Sequence, residues 1–125
     1  MASPTDPEAN ASAPGTEGSF PDHVTVRDQP SQLRYEVRVG DELAGFARYA
    51  LRRGRIVFVH TEVDPAYDGQ GLGSILARSA LDDVRFRGFR VVPICPFIAA
   101  YIERHPEYDD LVDHQALAAL DAETT

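Results

Sequence analysis

Gly69, Gly71 and Gly73 alternate directly in front of an apolar helical pattern, in Tyr67-Asp-Gly-Gln-Gly-Leu-Gly-Ser-Ile-Leu76. Glycine is costly at the start of a helix unless the chain takes positive φ there or something must approach its amides closely. Unpaired N–H groups and the positive end of the helix dipole converge at such a corner, so an anion suits it, and phosphate is the obvious guest. A turn that only reverses direction would need one glycine. No Gly-Lys-Ser/Thr follows, which excludes a P-loop. The spacing is Gly-x-Gly-x-Gly rather than Gly-x-Gly-x-x-Gly, and the next strand, Val91-Val-Pro-Ile-Cys95, closes on no acidic residue. A dinucleotide fold is therefore disfavoured. What remains is a pyrophosphate whose carrier extends along a strand.

The elements that must hold this corner are legible. Val24 to Arg27 reads as a short strand, and Leu33 to Val39 alternates apolar and charged residues, as a strand with one wet face does. Gly40-Asp41 marks a tight turn, Glu42 to Arg52 alternates again, and Gly54 marks a second turn. Arg55 to Val63 is nearly continuous apolar sequence suited to a central strand, in which His60 alternates with Phe58. Leu72, Ile75, Leu76, Ala80 and Val84 then recur at spacings of three and four, predicting a helix that ends at Gly88. Arg90 to Ile94 predicts a short strand, parallel to the one before the helix. Pro96 fits the first turn of a second helix, Phe97 to His105. The fold class is α+β: an antiparallel meander, then a β-α-β crossover, giving a mixed sheet flanked by helices.

At 125 residues with 43% hydrophobic content, the chain is the size of one domain. Residues 1–22 carry Pro4, Pro7, Pro14 and Pro21 with Ala, Ser and acidic residues, a composition that reads as a disordered tail. Residues 23–113 form the expected domain, and 114–125 an alanine-rich, acidic tail or short helix. The net charge of -8 argues against nucleic acid and anionic membrane as partners, and favours a cationic one. All basic residues are arginine, which removes lysine chemistry. Cys95 is a lone cysteine, and no basic n-region with an apolar run opens the chain, so a cytoplasmic setting is expected. The four histidines are scattered, and no metal site is expected. Asp82, Asp83, Asp109 and Asp110 read as solvated faces.

Val63-Asp-Pro-Ala-Tyr-Asp-Gly-Gln-Gly-Leu-Gly-Ser-Ile-Leu76 resembles the acetyl-CoA-binding segment of the GCN5-related N-acetyltransferases. His60-Thr-Glu-Val63, Pro93-Ile-Cys-Pro-Phe97 and Tyr101-Ile-Glu-Arg-His-Pro-Glu-Tyr108 are similar to a small single-domain branch of that family, over about Thr25 to Val112. The resemblance implies a GNAT-like fold and acetyl transfer from acetyl-CoA, as cosubstrate, to an amine of a small molecule or protein. It implies that the amides of Gly69, Gln70, Gly71, Leu72, Gly73 and Ser74 hold the CoA pyrophosphate, and that an amide near Val63 polarises the thioester carbonyl. Asp68 stands where the family usually carries Arg or Gln.

Three residues become candidates for the chemistry. Glu62, beside Val63, is placed as a general base in related enzymes, although an exposed strand residue would look the same. Cys95, ahead of Pro96, could take the acetyl group or protonate the departing thiolate; the plainer alternative is a small buried hydrophobe. Tyr101 stands about where larger relatives place the tyrosine that protonates the thiolate, or in the core. His105 and Tyr108 flank an acceptor pocket or only end the helix. The rival functional reading is a module that binds CoA or acyl-CoA without turnover, as a sensor or partner protein. Neither the acceptor nor the oligomeric state follows from these motifs.

Overall fold

The computed structural model describes residues 23–67 and 69–124, the stretch 120–124 by its backbone alone. The proline-rich segment 1–22, Asp68 and Thr125 lie outside the described residues. Strands β1 (Val24–Gln29), β2 (Arg34–Val39), β3 (Glu42–Arg52) and β4 (Arg55–Val63) form an antiparallel meander. Helix α1 (Leu72–Arg87) leads to β5 (Arg90–Pro93), which pairs parallel to β4. Helices α2 (Pro96–Arg104) and α3 (His114–Thr124) follow. The five-stranded sheet runs in the order β1-β2-β3-β4-β5, the mixed α+β architecture expected from the alternation of periods.

Local chemistry sets the boundaries. Arg53 and Gly54 both take positive φ, 49° and 82°, the two-residue hairpin geometry whose twist matches the flanking strands. Helix α1 ends on Gly88 at φ 81°, whose N–H bonds Arg85 O while Phe89 N–H bonds Val84 O. These two bonds form a Schellman motif, which satisfies carbonyls the last turn would otherwise leave unpaired. Strand β2 starts at Arg34 rather than Leu33, because Leu33 takes the left-handed conformation that closes a preceding 3-10 turn. Helix α2 starts on Pro96 and stops at Arg104, where His105 leaves helical geometry.

The core lies between the sheet and helices α1 and α2. Tyr35, Val37, Ala47, Tyr49, Ile56 and Phe58 face Leu72, Leu76, Leu81 and Val84 of α1 and Ile98 and Ile102 of α2 in one cluster. Each large apolar side chain so buried contributes roughly 1.5–3 kcal/mol. Polar pins fasten this layer. Tyr35 Oη donates to Asp83 at 2.6 Å and Tyr49 Oη to Asp28 at 2.6 Å, while Arg87 reaches Asp28 at 2.9 Å and Asp83 at 3.0 Å. Tyr108 Oη donates to Asp82 at 2.6 Å. Burial, reinforced by these aspartates, pushes the phenols of Tyr35, Tyr49 and Tyr108 up, so they stay protonated donors. The expectation of solvated faces is thus corrected for Asp82 and Asp83, which anchor tyrosines. Asp110 pairs with Arg85 at 2.9 Å, and Asp109 with His114 at 3.2 Å on the surface.

Candidate functional site at the open edge of β4

Strand β4 is paired on both edges only as far as Phe58. On the β3 side Tyr49 pairs with Phe58 but Arg48 with His60, so Val59 is an extra residue, a β-bulge. On the β5 side the ladder also stops there, since Phe58 pairs with Pro93 and proline has no N–H to carry it further. Ile94 N–H folds back to Val92 O at 3.1 Å, Cys95 N–H makes the last link to Phe58 O at 2.8 Å, and α2 begins. Val59 to Val63, about 16 Å of strand, therefore runs on beside β3 with no strand among the described residues on its other edge.

The hydrogen-bond alternation says which groups face that gap. Asp64 N–H bonds Ala44 O at 2.7 Å, so 44 and 64 form a bonded pair. Two residues on, Phe46 and Glu62 form the next such pair. Thr61 and Val63, lying between, turn their N–H and C=O away from β3 and into the gap. Gly45 sits opposite Val63, and a Cβ there would strike Glu62 O at 2.6 Å, so only glycine allows β3 this close approach.

Cys95 borders the gap from the α2 side. It occupies the N-cap position of α2, is 2% exposed, and its Sγ donates to Thr61 Oγ1 at 3.3 Å. Thr61 is a contact of Cys95 that the sequence does not reveal, because nothing in the spacing of residues 61 and 95 signals contact across a gap between parallel strands. Glu62 follows Thr61 on the strand and points to the opposite side of the sheet. It stands 63% exposed, with Oε2 2.9 Å from His60 Nε2, over the ring of Phe46. The structure thus brings Thr61 and Cys95 together, sets Val63 two residues further along the same edge of β4, and places Glu62 with His60 on the other face. His60 does not share a face with Phe58 as plain alternation implied, since the bulge at Val59 reverses the count.

The glycine corner lies just beyond β4. Gly69 and Gly71 take φ of 81° and 74°, with open space where a Cβ would stand, so their need is conformational. Gly73 is different: a Cβ there would sit 2.8 Å from Phe97 Cζ, so this glycine lets α1 and α2 touch. Gly71 caps α1 without a side-chain bond, no acidic residue stands in the first turn, and Ile75 N–H is bonded to Gly71 O at 3.1 Å. Helix geometry leaves the amides of Leu72, Gly73 and Ser74 pointing along the axis without intrahelical partners. The side chain of Leu72 is 2% exposed in the core, which leaves only its backbone for a ligand. Among the described residues no group of His, Cys, Asp and Glu converges as a metal site.

A family model described as GCN5-related N-acetyl-transferase matches residues 34–111. The chain belongs to this family. The matched span runs from the first residue of β2 to the residue before the Val91–Val112 bridge, and so includes the gap and the corner. The fold is similar to the NMR solution structure of a GCN5-like protein from Staphylococcus aureus. The TM-score is 0.57 at 17% identity, over 73% of this chain and 89% of that one. No curated protein matches the chain.

In this GCN5-related chain Tyr101 is 4% exposed, stacked on His105 with ring centroids 4.0 Å apart and 6.1 Å from Tyr108. Burial pushes its phenol up. His105 Nδ1 lies 2.9 Å from Tyr101 O, and Pro106 opens a 3-10 turn that carries Tyr108 to Asp82. The His-Pro-Glu-Tyr element therefore ends α2 and ties it to α1. No helix among the described residues is long and apolar enough to cross a membrane.

Proposed function

We propose that the chain transfers an acetyl group from acetyl-CoA to an amine. The observation that carries this reading is the open edge of β4, where the backbone groups of Thr61 and Val63 face a gap bordered by Cys95. An amide-rich pantetheine arm satisfies such groups, while the amides of Gly69 to Ser74, Gln70 included, receive the pyrophosphate at the positive end of α1. No metal enters the scheme.

In the reaction the amine nitrogen attacks the thioester carbonyl, a C–N bond forms and the C–S bond breaks. The amine gives up a proton and the CoA thiolate gains one. Val63 N–H, turned toward the gap, is the donor for the developing oxyanion in this scheme. Cys95, bordering the gap, protonates the thiolate or accepts the acetyl group first, with Thr61 holding its S–H. Tyr101 offers a second protonated donor from α2. Glu62, with His60, waits on the far face as the base for an amine arriving from that side. A cytoplasmic setting keeps the thiol reduced.

Titrating CoA while following the amide resonances of Gly69 to Gly73 is expected to move those signals first; movement elsewhere alone would overturn the site. Steady CoA release with a panel of amines separates transfer from the rival module that only binds acyl-CoA. Cys95→Ala is expected to reduce turnover by at least ~10²-fold with acetyl-CoA affinity retained, and an unchanged rate would remove the thiol from the scheme.

A further inference from the structure

The face of the sheet turned away from α1 carries a charge that the chain as a whole does not. By register Arg27 pairs with Glu36, Glu36 with Phe46 and Phe46 with Glu62, which sets one row across the sheet. Arg34, Arg48 and His60 form the next row. Arg38 lies on the same face, bonded to Glu36, and Arg52 lies on it further along β3. Arginines thus outnumber carboxylates here, on a chain whose net charge is -8.

Two of these guanidiniums are committed. Arg34 and Arg38 hold the buried Glu36 carboxylate at 2.6 and 3.0 Å. Arg27, Arg48 and Arg52 are exposed and have no carboxylate partner among the described residues. The guanidinium carbons of Arg34 and Arg48 lie 5.0 and 5.6 Å from the Phe46 ring centroid, which holds both heads along the face. The arginine row ends at His60 and Glu62, beside the open edge of β4. Exposed Val59 and Ile94 flank the point where β4 and β5 part.

We infer that this face docks an acidic polypeptide segment, with the segment's amine delivered to the gap beside Glu62. From the row of Arg52 to that of Glu62 is six residues along β3, roughly 20 Å. A small molecule does not span that distance, whereas an extended peptide of about seven residues does. A nucleic acid fits less well, since its phosphates carry a denser negative charge than the spaced carboxylates of a peptide and meet more repulsion from an acidic chain. Phe46 is also the lone aromatic ring among these rows apart from His60, too few for a stacking platform. The net charge draws cations from a distance, but an acceptor seated here meets arginines. The docking stands independently of acetyl transfer; only the amine's destination rests on that reading.

The test uses the full chain and a C-terminally labelled peptide of alternating Glu and Gly with a free N-terminal amine, against the same peptide with Arg for Glu. The acidic peptide is expected to bind at least tenfold more tightly, and more weakly as salt rises. Arg48→Glu with Arg52→Glu is expected to cost that peptide at least tenfold, and Arg48→Gln with Arg52→Gln, a gentler pair, about threefold. Circular dichroism checks that both variants fold. Preference for the basic peptide, indifference to both variants, tighter binding of single-stranded RNA of the same length, or salt-sensitive self-association in place of peptide binding would each overturn the inference. A parallel CoA titration keeps the two readings apart. Peptide binding without CoA binding sinks the transferase reading alone, and CoA binding with no peptide preference sinks the docking face alone.

Discussion

On the side of the sheet that meets α1, Tyr35, Tyr49 and Phe58 are 2%, 4% and 0% exposed, and each phenol ends on an aspartate. On the other side Phe46 lies under guanidiniums, and His60 and Glu62 stand half in water. Both faces carry aromatic rings and ion pairs on the same strands. The difference is what lies above them: a helix that excludes water turns rings and carboxylates into anchors, while the uncovered face leaves them free to meet another molecule.

Substitutions at matched positions test that contrast. Phe58→Ala is expected to cost about 3–5 kcal/mol and Phe46→Ala only about 1 kcal/mol, compared by urea unfolding; similar losses would mean the two faces are equally covered. Tyr35→Phe, which leaves the Asp83 acceptor short of its donor, is expected to cost about 1–2 kcal/mol and to lower the melting temperature.

The acid limb of stability comes next. Burial alone would push the Glu36 carboxyl up, but Arg34 and Arg38 outweigh it and hold it below the usual range. A depressed native value means that this stabilisation is present above the unfolded-state value and is lost as pH falls through the native one. Melting temperature should therefore fall between about pH 5 and pH 3, with a shallower slope in Glu36→Gln. Identical slopes would show that the pair is not maintained. The smallest effect is expected for Arg48→Ala, under about 0.5 kcal/mol in stability, because what Arg48 offers is charge toward solvent rather than packing.

Much of this was readable in advance. The five strands, the first two helices, the parallel crossover and the Gly88 stop follow from periodicity and punctuation, because each is encoded within a few neighbouring residues. The glycine corner was recognised, but its glycines divide in a way spacing does not reveal: two serve backbone geometry and Gly73 serves contact with Phe97. What escaped was long-range or depended on register. Asp82 and Asp83 looked solvated because tyrosines 26 and 48 residues away supply their donors. Thr61 was passed over because its partner sits across a gap. Plain alternation puts His60 on the Phe58 face because it assumes a strand without an extra residue.

That extra residue reaches further than one misassigned side chain. A chain lacking Val59 would join Phe58 directly to His60, leaving His60 opposite Arg48 and Glu62 opposite Phe46 on the outer face, while removing the disruption of the ladder at which the gap begins. The cleft proposed for the cofactor thus opens where two local irregularities coincide, an extra valine on the β3 side of β4 and a proline on the β5 side.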